Sequence, residues 1–74
     1  MDGKKAFYRA LGKRVRRYRM ASEMTQRELA EEVGVKHNTI SYIECARHEP
    51  SVFIVYRIGA VLGCGIEELT GRWE

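Results

Sequence analysis

Residues 25–44 read Thr25-Gln26-Arg27-Glu28-Leu29-Ala30-Glu31-Glu32-Val33-Gly34-Val35-Lys36-His37-Asn38-Thr39-Ile40-Ser41-Tyr42-Ile43-Glu44. Thr25 followed three residues later by Glu28 is a capping box. The Thr25 hydroxyl accepts from the Glu28 amide, and the Glu28 carboxylate accepts from the Thr25 N–H. Leu29, Ala30 and Val33 then line the inner face of a short helix, and Gly34 stands where a left-handed C-terminal residue is needed. Only Val35 and Lys36 separate this helix from the next pattern, His37–Glu44. There Ile40 and Ile43, three apart, face inward with Val35, while His37, Asn38, Ser41 and Tyr42 face outward. So short a helix with a polar outer face has little reason to be stable alone.

Before this stretch, Phe7, Leu11, Val15 and Tyr18 form one helical stripe, which predicts a helix from about Lys5 to Ala21. After it, Pro50-Ser51 opens a fourth helix with Ser51 as N-cap. Val52, Val55, Ile58, Val61 and Leu62 supply its buried stripe, and Gly63 ends it. Ile66-Glu67-Glu68-Leu69 starts a short fifth helix, its two glutamates suited to the positive helix end. No stretch alternates with period two, so no sheet is expected. The expectation is an all-α fold of five helices, in one domain over residues 1–74. Its core would span residues 11–69, and residues 1–4 are a candidate flexible arm.

The charge is unevenly placed. The 74 residues carry a net +3. Residues 1–20 hold Lys4, Lys5, Arg9, Lys13, Arg14, Arg16, Arg17 and Arg19 against Asp2 alone, and the remainder is net acidic. A basic element on a small domain fits a polyanion partner as well as a solvated helix face. No apolar run approaches the roughly 18 residues of a membrane span, and no signal-peptide h-region stands at the N-terminus. Two cysteines are too few for a disulfide scaffold. A cytoplasmic location, without membrane contact, is the expectation. The length leaves no room for a separate ligand-sensing domain or for the scaffold of a catalytic cleft. No Ser/His/Asp set, nucleotide loop or catalytic carboxylate pair is visible, since Glu67 and Glu68 are adjacent and diverge on a helix. We expect no enzymatic activity.

A tight helix–Gly–helix turn among five short helices suggests a helix-turn-helix unit. Particular residues sharpen this: Arg19, Met24-Thr25-Gln26-Arg27-Glu28-Leu29-Ala30, Gly34-Val35, Thr39-Ile40-Ser41-Tyr42-Ile43-Glu44, and Arg47 through Pro50. With these, Leu11 to Leu69 resembles the helix-turn-helix domain of phage repressors and Cro proteins, the XRE family. The resemblance implies a lambda-repressor-like fold in which helices 2 and 3 form the helix-turn-helix, with helix 3 in the major groove of duplex DNA. His37, Asn38 and Tyr42 would then read bases, Asn38 best suited because an Asn amide pairs bidentately with adenine. Thr39 and Ser41 would serve bases or phosphates. Gln26 matches the family glutamine that grips a phosphate, with Lys36, Arg47 and His48 as phosphate neighbours. Arg19 and Glu44 match an internal ion pair that ties helix 1 to helix 3. The implied function is a sequence-specific, homodimeric transcriptional regulator of the repressor kind on a palindromic operator. A protein-interaction module of the same fold, such as an antitoxin or anti-regulator, is the alternative.

Cys45 and Ala46 depart from the family's usual Asn-Gly, so Ala46 is either strained or sits in a different turn. Lys36 cannot cap helix 3 as Ser or Asp would. Cys45 lies at a helix end near Arg47 and His48, and is either a redox-sensitive thiol or a small residue tolerated there. Cys64 reads as core. Cys45, His48, Cys64 and His37 lack a paired Cys-x-x-Cys, so no metal and no cofactor are expected. Phe53, Ile54, Tyr56 and Trp73 are candidates for an exposed apolar patch serving as a dimer interface, the alternative being that Trp73 and Tyr56 complete the core. Phe53, off the buried stripe, is the sharper candidate for the patch.

Overall fold

Five helices build the computed structural model, which describes residues 3–71. They are α1 (Gly3–Ala21), α2 (Gln26–Val33), α3 (His37–Glu44), α4 (Val52–Leu62) and α5 (Ile66–Thr70). Among the described residues there is no strand. The local chemistry sets the helix ends. Thr25 Oγ1 accepts from Glu28 N at 3.0 Å, and Thr25 N donates to Glu28 Oε1 at 2.8 Å, closing the box at the start of α2. Gly34, at φ 89°, turns the chain out of α2 while its N–H and that of Val35 both donate to Ala30 O. Ser51 Oγ caps α4 by accepting from Ile54 N at 3.2 Å. Gly65 N donates to Glu68 Oε1 at 2.8 Å at the start of α5.

The core draws on every helix: Leu11 and Val15 from α1, Leu29, Ala30 and Val33 from α2, Ile40 and Ile43 from α3, Val55 and Ile58 from α4, and Leu69 from α5. Each large member contributes about 1.5–3 kcal/mol of burial, which holds the three short helices α2, α3 and α5 in place. α3 packs on both α1 and α2. Its approach to α1 is close enough to require Gly12, where a Cβ would stand 2.5 Å from Ile43 O and 2.7 Å from Glu44 O.

The structure corrects four expectations. Helix α1 begins at Gly3, so Gly3 and Lys4, expected within an arm, are helical. Val52, placed in the buried stripe, is 74% exposed. It is the first residue of α4. Phe7, expected in the stripe of α1, is 41% exposed. Phe7 and Val52 instead help to line an apolar groove with Tyr8, Pro50 and Ile66. Ile54, expected in an exposed patch, is half-buried and packs against the core.

One tie had no counterpart in the sequence. Arg57 on α4 donates from Nε to Val33 O at 2.8 Å and from Nη2 to Glu32 O at 3.4 Å. Its guanidinium lies 5.9 Å from the centre of the Phe53 ring. A cation thus sits on the negative C-terminal end of α2 and fixes that helix to α4.

Candidate nucleic-acid interface

Ile40 and Ile43 are fully buried, so the orientation of α3 is set and its opposite side faces out. His37, Asn38 and Tyr42 are exposed there, and Thr39 and Ser41 are half-buried at its margins. Within the described residues none of these five side chains is held in a hydrogen bond or an ion pair, so their donors and acceptors are available. Lys36 makes no side-chain cap. The first turn of α3 is held instead by the backbone, with Thr39 N donating to Lys36 O at 2.9 Å.

The far end of α3 closes on an unusual residue. Ala46 adopts φ 59°, the left-handed conformation that glycine takes without penalty. The turn it permits is well bonded: Cys45 N donates to Ser41 O, Ala46 N to Ile43 O, and Arg47 N to Tyr42 O at 2.8 Å. Arg47 and His48 leave this turn exposed. Across from it, Lys4, Lys5, Tyr8 and Arg9 of α1 line an open groove of about 480 Å³ with Cys45, Ala46 and Glu49. Lys4 pairs with Glu49 at 3.2 Å in that groove.

Behind α3 lies a closed polar knot. Arg19 donates from Nε to Glu44 Oε2 at 2.7 Å and from Nη2 to Glu44 Oε1 at 3.1 Å, a two-point pair. The side chains are 12% and 4% exposed respectively. Arg19 Nη1 also donates to Met24 O at 2.8 Å, in the turn that leads into α2. Gln26 Nε2 donates to Glu44 Oε1 at 3.0 Å. One carboxylate therefore joins α1, the first residue of α2 and the last residue of α3.

Cys64 is half-buried against the core. Burial, and then the charge of Glu68, push its thiol up, so it stays protonated at neutral pH. Cys45 is exposed. Among the described residues, no three His, Cys, Asp or Glu side chains gather as metal ligands. No helix in residues 3–71 is long and apolar enough to cross a membrane. Phe53 and Tyr56 are exposed on α4 beside Val52. Trp73 lies outside the described residues.

Comparison with known proteins agrees with this geometry. The helix-turn-helix family model matches residues 15–69. An HTH-type transcriptional regulator of Archaeoglobus fulgidus is 41% identical over 56 residues, covering 76% of this chain and 80% of the relative. The clp gene regulator ClgR of Corynebacterium glutamicum superposes with a TM-score of 0.82 at 30% identity, covering 85% of this chain and 67% of that one. The DNA-binding domain of the P22 C2 repressor superposes with a TM-score of 0.76 at 29% identity, covering 82% of each chain. An exposed polar helix seated on a Gly-turned partner, matched over most of its length by such regulators, has one explanation: the chain belongs to the XRE-type helix-turn-helix family and is a DNA-binding transcriptional regulator with a lambda-repressor-like fold.

Proposed function

We propose that the protein binds a palindromic double-stranded operator as a homodimer and represses transcription by occluding a promoter. The observation that carries this is the outer face of α3, where His37, Asn38 and Tyr42 are exposed on a helix locked by Ile40 and Ile43. Asn38 pairs with adenine N6 and N7, His37 donates to guanine, and Tyr42 meets a thymine methyl. Thr39 and Ser41 add contacts to bases or phosphates. Gln26, Lys36, Arg47 and His48 grip the backbone and set the register. The basic outer side of α1 attracts the duplex at long range. Val52, Phe53 and Tyr56 form the apolar patch through which two copies meet. A regulator of this kind works in the cytoplasm and performs no catalysis of its own.

The test is selection of bound duplexes from a random pool. Enrichment of a palindrome, with half-sites about one helical turn apart, supports the dimeric operator. An unsymmetrical site footprinted by a monomer overturns it. Absence of any enrichment points to the interaction module of the same fold.

A further inference from the structure

We propose that Glu44 is a positioning residue for DNA binding: its carboxylate anchors the Gln26 amide, so that the second N–H of that amide is preset for a backbone phosphate. This rests on the proposal above that Gln26 meets a phosphate.

Three hydrogen bonds converge on the Glu44 carboxylate, two from Arg19 and one from Gln26 Nε2. A carboxylate only accepts, so it fixes which end of the Gln26 amide faces inward. The amino group must turn toward Glu44, and the plane of the amide is then set. A glutamine side chain on a surface otherwise rotates freely, and ordering it on binding weakens the complex. Glu44 imposes that order before DNA arrives.

Alone, a carboxylate one hydrogen bond away from a phosphate-binding group would repel the ligand. Arg19 removes that objection by meeting both oxygens of Glu44, and its hydrogen bond to Met24 O holds the chain two residues before Gln26. Cation, anion and amide thus form a relay from α1 to the start of α2. In it Arg19 neutralises, Glu44 orients, and Gln26 makes the contact.

The experiment is a double-mutant cycle on the full chain, reading affinity for the duplex enriched from the random pool. One arm is Gln26→Met, and the other replaces Arg19→Met together with Glu44→Met. Exchanging both charges of a buried pair for apolar groups of similar size often preserves folding, and circular dichroism checks the folded fraction. The paired replacement is expected to weaken binding by about three- to ten-fold when Gln26 is present, matching the ordering of one side chain. It should add little in the Q26M background. An equal loss in both backgrounds overturns positioning while leaving the Gln26 contact intact. If Q26M alone leaves affinity unchanged, the Gln26 contact fails and this inference with it.

A second readout uses the wild-type chain without DNA, so it stands even if the paired replacement unfolds. NMR should show the two Gln26 side-chain amide protons widely separated, one shifted by the carboxylate. Coincidence with the values of exposed glutamines would overturn the anchor.

Discussion

Two faces of α3 treat polar groups in opposite ways. On its inner side, at Glu44, every polar atom is engaged: Arg19 and Gln26 fill the carboxylate, and α1 approaches closely enough to forbid a side chain at Gly12. On its outer side, His37, Asn38 and Tyr42 stand exposed and make no polar contact within the described residues. The contrast teaches where stability and recognition reside in an eight-residue helix. The buried face fixes the helix rigidly enough that the outer face can remain unsatisfied until DNA supplies the partners.

Substitutions on the outer face should change affinity and leave stability alone, whereas those on the inner face should act first on stability and reach affinity only through the Gln26 anchor. Arg19→Ala strands the Glu44 carboxylate and should cost about 3 kcal/mol or more of stability, a large part of the roughly 5–15 kcal/mol available to a small domain. Urea unfolding measures it, and a loss below 1 kcal/mol would mean that the knot is not structural. Gly12→Ala pushes a methyl group into the carbonyls of Ile43 and Glu44 and should cost about 1–3 kcal/mol. Thermal denaturation checks this, and an unchanged midpoint would show that the α1–α3 contact yields easily.

On the outer side, Asn38→Ala should leave the unfolding midpoint alone and weaken cognate binding by about 1–3 kcal/mol, relaxing preference at one base pair. If discrimination is retained, the readout lies elsewhere on the helix. Arg47→Ala should weaken binding to all sequences alike and lower the salt slope by about one. A slope that stays constant removes Arg47 from the backbone contacts. The smallest effect concerns the turn between the two regions. Ala46→Gly relieves the positive φ and should stabilise the fold by up to about 1 kcal/mol; destabilisation would mean that the turn is not strained.

Much of this arrangement was legible in the chain because the signals are local. A capping box at Thr25, an N-cap at Ser51 and glycines at the ends of α2 and α4 act within a few residues, so their chemistry needs no knowledge of neighbours. The buried positions of α2 and α3 followed from spacing for the same reason. Expectation failed where burial depends on what lies opposite. Val52 and Phe7 continue the stripes of their helices, yet both line an open groove between helices and not the closed core. Ile54 lies off the stripe but touches the core. Arg57 had no visible role, since its partners are backbone carbonyls on α2, 24 and 25 residues away. Gly12 gave no signal either, because a helical glycine shows its purpose only when a second backbone comes against it. The Arg19–Glu44 pairing was available from the resemblance, whereas the bond from Gln26 to the same carboxylate was not.

The sequence by itself determined five helices, the capped ends of α2 and α4, the polar face of α3 and the concentration of positive charge on α1. All of these depend on covalent neighbours and on helical periodicity, which fixes direction around one axis. Only the tertiary structure decided that α1 passes close enough to α3 to need Gly12, that Arg57 closes the end of α2, and that Gln26 reaches Glu44. Those facts depend on distances between axes, which emerge when side chains from several helices compete for the same interior volume.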